Sequence, residues 1–454
     1  MNRTQFFRFI TLALAASLLS GCGSGGGDGF APVPSPPSLV WSPAQIAPLQ
    51  VSAMRGVFPD AASGVFVVGE AYGDGLVVQR FNAARGWHEQ TVELRGLKSL
   101  QAVPIDSGVA LFGHDGTSWL RRDFTSAGLS SLQTQFAVQY PVAASATPIE
   151  VRFDRTHNNT LLASAILTRD TRAAVQTREF KQGVWTAAEE AFINAPDGGQ
   201  VMAFGSGAHV VRSRAGDVAS VSTSLIYRYT FVALRRVGET VFTPVTPALC
   251  VGARCASTFG QHLPPQLQAD GRATVIVSQT TPLAAGWLLI DTHSVTELWP
   301  AGVNRGVEPF VAPLNVLRPD GTPQWVSNAG SQLTVWEGTN PRPWQAPTGE
   351  QANCVLLNCA AFSAREANHL ATLHADSANT LTLYVSERAA SGQWANTASV
   401  DASALLKVGN YGRPFSLAAV QASPASPIVV GFVPAVTSAG VSTGAVQPFA
   451  WVKQ

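Results

Sequence analysis

Five cysteines are the side chains best suited to covalent chemistry in this 454-residue chain. Cys22 follows a short apolar run near the start. The other four form two C-x4-C pairs, Cys250 with Cys255 and Cys354 with Cys359. In an exported protein such pairs are expected to close as two local disulfides. Each loop is small, so the chain-entropy model assigns roughly 2 kcal/mol apiece. One four-cysteine zinc site is the alternative. It requires the two loops to meet in space and departs from the usual C-x2-C spacing, so no metal is expected. Among titratable groups, His114-Asp115-Gly116 reads as a tight turn, with acid/base chemistry open to His114 or Asp115 if the turn lines a cleft. Residues 225–233 read as a strand with Leu225, Tyr227, Tyr229 and Phe231 on one face and Arg228 on the other. Arg228, Arg235 and Arg236 are the candidate cationic binding cluster; the competing reading is an ordinary strand with its aromatic face in a core. His369 and His374 are five apart, which puts them on opposite faces of a strand. Gly440-Val-Ser-Thr-Gly444 matches G-x-S-x-G. A nucleophile elbow needs a helix after it and a downstream His, and no His follows His374, so this is expected to be a hairpin turn. Catalytic residues are left unassigned, and no cofactor is expected.

The N-terminus places this chemistry outside the cytoplasm. Arg3 and Arg8 precede a short apolar segment, Ile10 to Leu19, that is too short to span a bilayer as a mature helix. Leu19-Ser20-Gly21-Cys22 then resembles the lipobox of bacterial lipoproteins. The resemblance covers about 22 residues. It implies that 1–21 is a signal peptide, that Cys22 is acylated, and that the protein sits in the cell envelope. Gly23 in place of Asp implies the outer membrane. Residues 22–37 are a Gly/Pro/Ser-rich tether; its ~15 residues reach about 50 Å when stretched. The body is expected over 38–454.

Charge narrows the partners. Charged residues are 13% and the formal net charge is +1, near −1 once Arg3 and Arg8 are removed. Nucleic acid as a partner is excluded, because phosphate binding needs a basic surface.

The elements that must position these residues read as strands. Runs such as 64–69, 76–81 and 273–278 are short, rich in β-branched residues, and bounded by Gly, Asp, Asn or Pro. A strand–turn–Trp–strand pattern recurs at Trp87, Trp185, Trp344 and Trp394, spaced 98, 159 and 50 residues apart. A period near 50 is that of propeller blades. The expected fold is an all-β propeller of eight blades, with seven as the alternative, each of four antiparallel strands. The units fall near 51–96, 97–138, 139–194, 195–250, 251–303, 304–350, 351–402 and 403–454. The last lacks a fourth strand, which 38–46 could supply, closing the ring and removing an open edge. The recurrent Trp is expected to pack between blades; a carbohydrate platform is the alternative.

Residues 291–299, DTHSVTELW, resemble one degenerate quinoprotein-type propeller repeat, with Ser294 and Val295 departing from its Thr-Gly. Asp115-Gly-Thr-Ser-Trp119 approximates the Asp-box of sialidase-like propellers. Neither resemblance carries a function. The functional expectation is a monomeric, membrane-anchored binding or scaffold module with a protein or glycan partner. The alternative is a glycan-active hydrolase or lyase on the same fold.

Overall fold

The strands are short because each crosses one blade and must turn. In the computed structural model, the described residues are 42, 45–60, 64–137, 151–155, 160–169, 172–194, 209–212, 216, 218–223, 230–245, 259–262, 266–267, 273–280, 283–290, 295–298, 310–317, 323–329, 332–337, 340–343, 360–362, 368–375, 381–401, 416–421, 428–436 and 442–452. No helix occurs among them. They form eight separate antiparallel sheets with four strands along each main path, in sequence order in the first seven. The first holds Ala53–Asp60, Gly64–Glu70, Leu76–Asn82 and Gly86–Glu93. The others begin at Lys98, Val151, His209, Phe259, Phe310, Ala360 and Ser416, each inside the unit expected for it. First strands of neighbouring sheets adjoin: the first sheet's touches those of the second and the eighth, and the sixth, seventh and eighth follow one another in the same way. The protein is an all-β propeller.

Middle strands are covered on both faces, which explains their unbroken apolar runs. Gly64–Glu70 and Leu76–Asn82 are buried along nearly their whole length. Val65, Val67 and Phe81 pack on Ile428, Val430, Ala450 and Val452 of the eighth sheet. Phe66, Val68, Leu76 and Val78 pack the other way, on Val109, Leu111 and Phe124 of the second. Successive side chains thus serve two different boundaries. Gly64 begins a second strand where a Cβ would lie 2.3 Å from the Phe81 carbonyl; Gly108 meets Phe124 in the same way at 2.1 Å. A Gly-to-Phe repeat therefore runs beneath the tryptophan pattern.

Ring closure follows the sequence expectation and extends it. Gln45–Ile46 pairs with Ser442–Val452, the third strand of the eighth sheet. Ser42 N–H donates to the Val452 carbonyl at 2.8 Å, Ala47 N–H to Pro448 at 2.7 Å, and Val51 and Val446 exchange both bonds at 2.9 and 2.8 Å.

Two of the recurrent tryptophans lie between sheets. Trp87 stands edge-on to Phe81 and donates its indole N–H to the Gln45 carbonyl at 2.9 Å. Trp185 joins an aromatic group with Phe136, Phe153 and Phe180, and donates to Gln135 Oε1 at 2.9 Å. Trp394 opens the outer strand of the seventh sheet; Trp41 and Trp344 lie outside the described residues.

Ion pairs across sheet boundaries share one direction among the described residues. Glu93, Asp106, Glu179, Glu189 and Glu337 belong to the earlier sheet, and Arg122, Arg155, Arg212, Arg235 and Arg388 to the following one. Their worth differs with exposure. Asp106 is 73% exposed, so solvent screens its pair to little. Glu337 and Arg388 meet side-on at 2.5 and 3.0 Å with both side chains largely buried, where loss of one partner strands a charge.

Candidate functional site

The boundary between the third and fourth sheets departs from the apolar rule. Pairing register puts Asp154, Leu162 and Glu179 in one row of the third sheet, and Arg152, Ser164, Thr177 and Glu189 in the next. Directly paired residues share a face. Leu162 packs with Val210 and Val218 of the fourth sheet, so this face looks at that sheet. The facing row there is Arg212, Val218 and Arg235. Away from this end the boundary is filled by Ile166, Val175, Ala191, Ile193, Ala233 and Phe242.

The charges meet at the ends of their strands. Arg212 Nη1 lies 3.3 Å from Glu179 Oε2, and its Nη2 lies 2.7 Å from Glu189 Oε2. Arg235 Nη2 lies 2.9 Å from that same Glu189 oxygen. Glu179 also accepts from Thr160 at 2.8 Å and pairs with Lys181 at 2.8 Å. The Arg235 guanidinium lies over the Phe242 ring, 5.9 Å from its centroid. Partial desolvation pushes the Glu189 carboxyl up, but hydrogen bonds and charge from Arg235 and Arg212 outweigh it and hold it below its ordinary value. The Nε–H groups of Arg212 and Arg235 are buried and reach no acceptor among the described residues. Other boundaries also carry ion pairs, at Glu93–Arg122 and Glu337–Arg388, but this one brings two arginines onto a single carboxylate oxygen.

Asp154 lies in the same row, nearer the axis, on the innermost strand Val151–Arg155. Burial pushes its carboxyl from 3.8 up to about 6, against the opposing charge of Arg152. The raised value means that the folded state holds the proton more tightly than the unfolded chain. This contribution to stability is complete below pH 3.8 and is lost as pH rises through about 6. Asp154→Asn should therefore match the wild type near pH ~4 and exceed it by on the order of 1–2 kcal/mol near pH ~7.5, after discounting for partial exposure. Thermal melts of both proteins at the two pH values check this; equal midpoints at the higher pH would contradict the assignment.

The structure distributes the sequence candidates widely. Arg235 enters the charged seam and is nine-tenths buried. Arg236 is exposed and its N–H donates to Glu239. Arg228 lies outside the described residues, and the strand expected at 225–233 is described only from Thr230. Cys22, Cys250, Cys255, Cys354 and Cys359 also lie outside them. His114 and Asp115 form the turn expected of them, in the second sheet. Asp115 Oδ1 accepts from Thr117 N, Thr117 Oγ1 and Ser118 N at 2.7, 2.8 and 2.8 Å. The Ser118 and Thr117 bonds draw its carboxyl down to about 2. Burial lowers His114, against the charge of Asp115. His114 Nδ1 accepts from Gly116 N–H at 3.1 Å, which leaves the proton of the neutral ring on Nε2. His369 and His374 share the strand His369–Ala375. Ser442 of the G-x-S-x-G run pairs with Val436 at the mouth of a hairpin, as expected. Glu179, Glu189, Arg212, Arg152 and Asp154 were not marked by any motif. Their only sequence signal is a charge interrupting an apolar strand.

No family model matches the chain, and no curated protein does. Solved structures similar to it include the Dos1 propeller, at 9% identity, covering 90% of this chain and 95% of that one with a TM-score of 0.44. The β-propeller domain of the Trilobed protease from Pyrococcus furiosus shares 9% identity over 76% and 97%, TM-score 0.39. A puromycin hydrolase mutant shares 13% over 84% of this chain with a TM-score of 0.40, and the chain spans only 58% of that protein's length. The fold assignment rests on the strand pairings described above.

Proposed function

We propose that this chain is an exported, lipid-anchored protein of the cell envelope whose propeller body is a binding module. The charged seam between the third and fourth sheets carries the binding reading: the buried Nε–H groups of Arg212 and Arg235 find no acceptor among the described residues. The lipobox-like Leu19-Ser20-Gly21-Cys22 supports the anchor. Acyl chains contribute about 0.8 kcal/mol per buried methylene, and two or more hold a protein stably. Cys22→Ala is expected to move the protein from the membrane to the soluble fraction once the signal peptide is cleaved. Membrane partition unchanged in that variant would end the anchor reading. Binding is tested by retention of the detergent-solubilised full chain on arrays of envelope glycans and acidic peptides; a folded chain retained by none of them contradicts a binding module. The hydrolase or lyase alternative draws on Asp154, whose carboxyl is pushed up to about 6 by burial. Turnover of a retained glycan, abolished by Asp154→Asn, would favour it.

A further inference from the structure

The described arginines use the side-on edge, Nε with Nη2, in several ways: Arg122 Nε donates to the Ser130 carbonyl, and the buried Nε of Arg155, like those of Arg212 and Arg235, reaches no acceptor among the described residues. Arg121 gives both atoms to Asp123, at 2.7 and 2.8 Å. Arg388 gives both to Glu337, at 2.5 and 3.0 Å. Each of these edges is filled by the two oxygens of one carboxylate, the geometry that a planar guanidinium fork prefers. Arg212 and Arg235 differ. Their two edges share a single oxygen, Glu189 Oε2, through Nη2 of each, and neither Nε–H reaches an acceptor among the described residues.

Glu189 is the movable member of the set. Its side chain is 47% exposed, whereas those of Arg235 and Glu179 are 9% and 4% exposed. It opens the outer strand Glu189–Ile193, so it can rotate outward without disturbing the core. Arg235 is held by Phe242 behind it.

We propose that the seam is a carboxylate-binding site, in which the carboxylate of a ligand displaces Glu189 and fills the Nε–Nη2 edges of Arg212 and Arg235. Glu189 is then an internal competitor that occupies the site through one oxygen and keeps it closed until the ligand arrives. A carboxylate is favoured over other anions because carboxylates fill every other complete side-on edge described, and because one already bridges these two arginines. This rests on the binding-module reading above and names its ligand chemistry.

The experiment titrates the full chain with sodium glucuronate and N-acetylaspartate by calorimetry, with sodium chloride as the screening control. The two carboxylates separate a sugar acid from an amino-acid side chain as the source. Glu189→Ala removes the competitor and is expected to bind the preferred carboxylate roughly tenfold more tightly than the wild type, since a charged hydrogen bond no longer has to be exchanged. Arg235→Lys keeps the charge but loses the fork, and is expected to weaken binding by about tenfold or more. Equal affinity of wild type and Glu189→Ala, or chloride competing as well as the carboxylate, overturns the proposal. The Glu189→Ala comparison decides this alone if Arg235→Lys does not fold. Retention on the arrays together with unchanged Glu189→Ala affinity would place the ligand elsewhere and leave the binding module standing.

Discussion

A chain lacking residues 38–51 is expected to lose its cooperative unfolding transition or to melt lower by on the order of 10 °C or more. Ser42, Gln45–Ile46, Ala47 and Val51 lie along the outer edge of the eighth sheet. They carry the Ser42–Val452, Ala47–Pro448 and Val51–Val446 backbone bonds. Gln447 Nε2 donates to the Ala47 carbonyl at 3.1 Å, and the buried Gln79 amide both donates to and accepts from the Leu49 backbone at 3.3 Å. Removing the segment leaves Gln79 unsatisfied in the core, which by itself costs about 1–3 kcal/mol. It also exposes the edge of an 11-residue strand, Ser442–Val452, to pairing with other chains. Scanning calorimetry and size-exclusion chromatography of the truncated chain should show a lowered or absent transition and aggregation. A monomer that melts with the full-length protein would mean that the ring does not depend on this closure.

The second large effect is expected at Phe153→Ala, with a loss of about 3–5 kcal/mol. Phe153 is 4% exposed and belongs to the innermost strand of the third sheet. Its ring stacks on Phe112 of the second sheet, with centroids 3.8 Å apart, and meets Trp119 and Trp185 edge-on at 4.9 and 5.8 Å. The substitution thus empties the centre of an aromatic group shared by two sheets. Denaturant titration measures the loss, and a double variant with Trp185→Ala should cost less than the two single losses added together, because the rings touch. Strict additivity would show that they do not form one unit.

The architecture was readable because its causes are local. A strand that crosses one blade must be short, apolar and ended by turn residues, and Leu76–Asn82, followed by a turn and then Trp87, shows all of this in about twelve positions. The N-terminal closing strand was readable from a deficit: the last unit had room for three strands, and residues near 38–46 had the composition of a fourth. The Asp115 turn and the hairpin mouth at Ser442 were readable because a turn's hydrogen bonds lie within a few residues. Arg235 was marked for a different reason from the one that matters. It was grouped with Arg228 and Arg236 as a cationic cluster, whereas its partners are Glu189, on the preceding sheet, and the ring of Phe242.

The all-β character, the fifty-residue unit, the partner of the open edge and the expectation of export each follow from residue types that are neighbours along the chain. Which charges meet depends on how the sheets stack. Glu179, Glu189, Arg212 and Arg235 converge because register aligns their rows and the fourth sheet stacks against the third. A shift of one residue in any of these strands would turn its charge to the opposite boundary, and no local pattern reports how two sheets will be superposed.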